Sequence, residues 1–524
     1  MHLRPLFLKG LVLCGLAWLP ARAEISPLDL HFTRQATQRM IFDDDQALPL
    51  LSLDPAKVAG LELMHPIRRT TGKAEVSVPQ GRLMVRGEGA TDTSVWFSGF
   101  NPFATYQLEI ADCGEGSSIG LEFIHPDGEV LRVETVCGKQ SIKGVRWNLK
   151  RKDQTLVEGE AEEFRPRSLD KPVTLIVQMA AVGFNVYLKQ HDQVELVGRT
   201  DIVAHLDLRK TEVFRNMSTW LRVAGEDGAY AAIPKATASL TSGMGQADIR
   251  AITDEEGTPL LDGGRLWFTA TTRGGGLPNP AQGVFSLDPG IFDLKFEGVI
   301  AFDRGDGLLR NELASHLFLD RPSGEWRGWT VAFSAYGDPA KKEKKEILAV
   351  RSKKDPRHGF SVMTSKPMEL VGDYEDPHGV FDKTANKWRM LLCRNVNGYK
   401  AAVFESARWD GDFQRIAGPV ANDSTGTTIQ KVDGVRYAFF GSSDRCFHVC
   451  SFPDLQPLGK LDLDLPPWEE NGNGRVWPNL VPLPEGSPAP YLLLTFDRTN
   501  FPGMKGPNWT YGAMHLYYGY PKGK

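Results

Sequence analysis

Two aspartates stand in matching places in the second half of this 524-residue chain. Asp248 lies six residues before Asp254, and Asp376 lies six before Asp382, with each of the later pair closing a strand-like run at a turn. Carboxylates that recur at one register of a repeat face each other when the repeats are set around an axis. Such a pair suits chemistry at an acetal carbon. One carboxylate acts as base or nucleophile beneath the anomeric carbon, and a second group stays protonated to donate to the leaving oxygen. A crowded, partly dry site raises one of the two carboxyl pKa values through burial and the like-charged neighbour. An aspartate at a strand mouth is also a common turn residue; the shared register is what sets this pair apart.

Other groups near the same end of the repeats extend the candidate set. Glu312 is the first choice of proton donor, Glu375 the second, and Asp423 a more distant one. His316 and His378 recur in adjacent repeats, as general acids or as contacts to substrate or metal, unless each is a satisfied structural donor. Arg250, Arg394 and Arg475 are the cations. Two of them facing inward imply an acidic or sulfated sugar, because guanidinium meets carboxylate or sulfate through paired hydrogen bonds; ion pairing with the acids just named is the alternative. Trp477 offers a flat face to sugar C–H groups or packs between repeats, while Asn479 and Thr427 can hold hydroxyls.

The elements that must position these residues form five similar units from about residue 246. Each is a short strand, a turn rich in Asp, Gly or Pro, and a second strand thick with aromatics and aliphatics: Asp248–Asp254 with Arg265–Thr271, Ser315–Asp320 with Gly328–Ala335, Asp376–Asp382 with Lys387–Arg394, Thr427–Asp433 with Val435–Gly441, and Pro478–Pro484 with Pro490–Phe496. Third strands follow in each unit and outer strands in the first four. A four-stranded meander buries both faces only by stacking on a neighbour, so five of them predict a five-bladed β-propeller over 241–524. The fifth unit stops after its third strand, and Ala229–Leu240 is the expected source of the missing outer strand. Lys341–Lys345 reads as a solvated hairpin tip. Residues 61–240 carry short strands parted by turns such as Pro126-Asp127-Gly128, which predicts a β-sandwich of jelly-roll or laminin-G type, and 24–60 reads as a wrapping linker. The fold class is therefore all-β, in two domains.

Net charge is −4, and nothing in it calls for a nucleic-acid backbone or an anionic membrane as partner. A basic start at Met1–Arg4, an apolar Leu6–Leu19 and Ala21-Arg22-Ala23 read as a signal peptide over 1–23, cleaved before Glu24, which makes the mature chain secreted or periplasmic. No later run is long enough to insert in a membrane. Of the six cysteines, Cys14 leaves with the leader. The sparse remainder is no disulfide scaffold, although Cys113 and Cys137 can bridge neighbouring strands.

The segments Ala247-Asp248-Ile249-Arg250, Glu375-Asp376-Pro377-His378-Gly379-Val380-Phe381 and Thr425-Gly426-Thr427-Thr428-Ile429 resemble the first, third and fourth blades of the glycoside hydrolase family 43, 62 and 32 superfamily. The resemblance spans roughly 245–520 as blade rhythm and short motifs. It implies a glycosidase acting on a polysaccharide or oligosaccharide, in exo fashion, with Asp248 as base or nucleophile and Asp376 tuning and orienting the acid. The acid itself, a Glu opening the fourth blade, is replaced by Thr425. No cofactor is required; related propellers admit a structural calcium on the axis, and the sequence shows no oxygen-rich metal loop. The competing reading is a non-catalytic glycan-binding protein built from a sandwich and a propeller. A sialidase reading lacks its Ser-x-Asp-x-Gly-x-Thr-Trp turns, and a serine hydrolase reading lacks a Gly-x-Ser-x-Gly elbow.

Overall fold

Strand after strand in the first half alternates apolar and polar side chains, and the apolar sets meet in one core. Tyr106, Leu108 and Ile110, then Leu175, Val177 and Met179, then Phe184, Val186 and Leu188 face Ile119, Leu121, Phe123, Leu131 and Val133 from the opposite layer. The result, in a computed structural model that describes residues 25–40, 42, 44–54, 68–273, 280–334, 343–464, 476–497 and 512–523, is a sandwich of a six-stranded and a ten-stranded sheet. The expected leader over 1–23 and Arg475 lie outside the described residues. The six-stranded sheet runs Gln193–Asp201, Gly183–Gln190, Val173–Met179, Thr105–Ile110, Lys235–Leu240, Leu48–Leu53. The five described cysteines are free thiols, so no bridge joins Cys113 to Cys137. No helix among the described residues is long and apolar enough to cross a membrane.

The second half is the five-bladed propeller. Its innermost strands are Gln246–Ala251, Leu313–Asp320, Tyr374–Asp382, Thr425–Val432 and Asn479–Pro482, each opening an antiparallel meander. The ring is closed in an unexpected place. Lys235–Leu240 belongs to the sandwich, and the outer strand of blade five is Leu30–Gln38, paired antiparallel with Met514–Pro521 from Leu30↔Pro521 to Gln38↔Met514. Phe32 and Leu30 carry the attachment, buried against Phe439, Val449, Leu480, Leu493 and Tyr517. Replacing Phe32 with Ala removes the larger of these two anchors. It is expected to lower stability by about 3–5 kcal/mol, read as a shift in the urea midpoint.

The sandwich also braces blade one. Arg273, at φ +80° just past the second strand of that blade, is fully buried and donates to the carbonyls of Met179 (3.0 Å) and Phe103 of the sandwich. Burial pulls its guanidinium down to about 9. Of the lysine-rich run, Lys341 and Lys342 lie outside the described residues and Lys344 is exposed, but Lys345 turns inward to ion-pair with Asp373 and Glu375, and Glu343 receives Arg310 at 2.9 Å.

Candidate active site

The same backbone irregularity marks the innermost strand of four blades. Asp248, Ala314, Asp376 and Gly426 have φ of 55°, 54°, 60° and 63°. At each, pairing with the next strand slips, between Ala247 and Arg250, Leu313 and His316, Glu375 and His378, and Thr425 and Thr428. An extra residue in the left-handed region bends the strand and re-aims its side chain. Gly, Asp and Asn tolerate that conformation best, so the aspartates meet a backbone requirement as well as a chemical one. The six-residue count from turn to candidate thus measures the distance from the turn to this bulge.

Asp376 is buried, at 1% exposure, and held on several sides. Its Oδ2 accepts the Gly426 N–H at 2.7 Å and the Cys393 thiol at 3.5 Å, and its Oδ1 lies 3.6 Å from the Arg250 guanidinium. Burial raises its pKa to about 7; Arg250 opposes the rise, while Glu375 and Asp248 add to it. Arg250 is itself wholly buried, lies 4.9 Å over the Trp477 ring, and responds to both Asp376 and Asp248. Burial lowers its pKa, and the two carboxylates pull it back up. Asp248 remains partly exposed. The site therefore holds two aspartates in unlike settings, one partly exposed and one buried with its pKa raised to about 7, with the Arg250 guanidinium shared between them.

Gly426 has a double duty there. Besides donating to Asp376, it sits where a Cβ would come within 2.7 Å of the Trp477 ring. Gly426→Ala is expected to destabilise by about 1–3 kcal/mol from the left-handed backbone alone, visible in denaturant melts followed by tryptophan fluorescence.

Several expected contacts are instead part of the ring's stitching. His316 and His378 are buried, with rings stacked 3.8 Å apart. Nδ1 of His316 accepts the Gly379 N–H (3.2 Å), which leaves Nε2–H to donate to Thr253 Oγ1 (3.1 Å). Nδ1 of His378 accepts the Ile429 N–H at 3.4 Å. Burial and Arg250 pull His316 down to about 3; burial, His316 and Arg250 hold His378 well below its ordinary value. Neutral imidazoles so placed join blades two, three and four and do not deliver protons. Thr427 Oγ1 donates to the Asp376 carbonyl at 2.5 Å, and Asn479 donates to Ile249 O while accepting the Ala251 N–H at 3.3 Å, which ties blade five to blade one. Trp477 packs in the apolar core between these blades, beneath Arg250. Arg394 is exposed and stacks over Tyr374, 5.0 Å from the ring centre.

Glu312 is not poised as an acid. It is fully buried, ion-paired to Arg304 at 2.9 Å, and accepts both the N–H and the hydroxyl of Ser334 (3.0 and 2.8 Å). Glu375 is half-buried, receives the Tyr399 hydroxyl at 2.7 Å, and pairs with Lys345. Thr425, where the resemblance places a Glu, is buried with no hydrogen-bond partner for its hydroxyl among the described residues. Cys393, Tyr399 and Lys345 were not legible as site residues. Cys393 shows itself only through strand pairing, which sets it opposite Glu375. Among the described residues no group of three or more His, Cys, Asp or Glu could hold a metal. The innermost layer presents a guanidinium and two neutral imidazoles, a poor match for the oxygen cage that calcium needs.

No protein-family model matches the chain. No curated protein matches it either. Solved structures similar to it include a GH43_1 enzyme from Xanthomonas citri complexed with xylotriose, at 12% identity and TM-score 0.37, covering 53% of this chain and 87% of that one. Another is the RS223 beta-xylosidase, at 13% identity and TM-score 0.36, covering 52% and 92%. A third is SCLam, a non-specific endo-beta-1,3(4)-glucanase from family GH16, at 9% identity and TM-score 0.28, covering 40% and 96%. Likenesses at this identity and TM-score assign no residue a role.

Proposed function

We propose that this chain hydrolyses glycosidic bonds in an exported polysaccharide- or oligosaccharide-degrading role, acting from the chain end, with Asp248 as base or nucleophile. Asp376 is the buried carboxyl that orients the site and tunes its charge. The observation that supports this reading most is the sharing of one buried guanidinium, Arg250, by two aspartates 128 residues apart that occupy the same bulge of blades one and three. Carboxyls with divergent environments close to one cation suit acid–base cleavage of an acetal.

The test is a hydrolysis panel of arabinan, xylan, mixed-linkage glucan and acidic polysaccharides, run with wild type and Asp248→Asn. Sugar released by the first and not by the second supports the reading, and equal release by both sinks it. A non-catalytic glycan-binding protein is the second reading, favoured by the Thr425 and Glu312 geometry, which leaves the proton donor's place without a free carboxyl among the described residues. It predicts binding to the same polymers with no release by either protein.

A further inference from the structure

We propose that the outer face of the six-stranded sheet is a second glycan site, separate from the propeller, which takes a stretch of oligosaccharide by hydrogen bonding. The face carries a cleft of about 480 Å³. Strand pairing lays its polar side chains out in rungs. Thr174, Glu109 and Lys235 stand side by side on three neighbouring strands, and Gln107 and Thr237 sit together one rung further on. Neighbouring strands are about 4.8 Å apart, so the rungs form a regular grid of donors and acceptors. Ser239, on the following rung, lines the cleft with 4% exposure, and its hydroxyl has no partner among the described residues.

The contrast with the opposite sheet carries the argument. There the outward polar rows satisfy one another: Ser94 donates to Glu122 (2.9 Å), which also takes Arg132 (2.8 Å), and Glu134 takes both Arg146 and Arg222. In the cleft, Gln107, Glu109, Thr174, Lys235, Thr237 and Ser239 make no side-chain hydrogen bond or ion pair to other described residues. Polar groups gathered in a cavity and left unpaired are groups available to a ligand.

Their chemistry names the class. One carboxylate, one ammonium, one amide and three hydroxyls make a set of mixed sign that needs donors and acceptors together. Lys189, His191 and Ser52 line the cleft as well, so a polyanion such as nucleic acid would meet two lysines, but Glu109, set between Thr174 and Lys235, would repel it. Sugar hydroxyls both donate and accept, and a short run of them can meet every group in the grid. This inference rests on the cleft's own side chains and not on the propeller reading.

Affinity electrophoresis of the full chain in native gels tests it, with arabinoxylan, arabinan, mixed-linkage β-1,3(4)-glucan and polygalacturonate as probes. The expected result is that at least one polymer retards wild type and Asp248→Asn alike, while the Gln107→Ala/Thr237→Ala double variant binds it about tenfold more weakly, a difference of about 1.4 kcal/mol. The double variant should keep the wild-type melting temperature; if it does not fold, Thr174→Ala on the adjoining rung takes its place. Retardation that survives the cleft variants, or that is lost in Asp248→Asn alone, overturns the proposal, as does the absence of retardation by all four polymers. A failed hydrolysis panel alongside cleft-dependent retardation would sink the enzyme reading and leave this site standing.

Discussion

Asp248→Asn is expected to reduce sugar release by about 10²–10⁴-fold, the usual contribution of a positioned base or nucleophile. The substitution is well suited to the backbone, because Asn tolerates the left-handed φ of 55° that this bulge imposes. Asp248→Ala would add backbone strain to the chemical loss and blur the two. The substrate still meets the same surfaces, so KM should change far less than kcat. Removing the Asp248 charge also removes one of the influences that raise Asp376, so that carboxyl should ionise below its present value of about 7. Retention of kcat within a few-fold of wild type would remove Asp248 from the chemistry.

The second large effect is a pH-dependent loss of stability in Arg250→Met. Asp376 has its pKa raised by burial from 3.8 to about 7, so the native state holds this proton more tightly than the unfolded chain does. Stability from that difference is fully present below about pH 4 and is lost as pH climbs through about 7. Arg250 limits the loss by favouring the carboxylate. Without it, Asp376 is raised further, and forcing it to ionise in a dry site leaves an uncompensated charge. At about pH 9 the variant should be less stable than wild type by about 3–5 kcal/mol, and at about pH 5, where Asp376 is protonated in both proteins, by much less. Urea midpoints at the two pH values measure the difference. An equal loss at both would mean that Arg250 acts through packing on Trp477 and not through charge.

How much of this was legible from the residues alone depends on how local each feature is. The blades were, because each pairs an alternating apolar run with a turn acid a few residues away, and the aspartate register was, because the bulge lies a fixed distance from that turn. The closing strand was not. In Leu30–Gln38 only Leu30 and Phe32 are fully buried, so its sequence has almost no period to read, and its partner lies near the far end of the chain. Glu312 misled for a related reason: an acid just ahead of an innermost strand resembles a proton donor until Arg304 and Ser334, which are distant enough to be invisible in the local pattern, are seen to hold it. His316 and His378 were read from their recurrence as general acids or contacts to substrate or metal, and the burial that keeps them neutral arises only when adjacent blades meet.

Ring closure sets a timetable for biogenesis. Lys522 reaches the carbonyl of Leu28 across 494 residues, so Leu30–Gln38 must wait without a strand partner until Met514–Pro521 is made. Loop-closure entropy grows slowly with length, so the separation is tolerable at equilibrium, but contacts this non-local form late. Until they do, four blades stand as an open arc with a bare hairpin at its end, a form that offers chaperones and proteases an edge to engage. Quality control of this protein would thus act on whether these two strands have met.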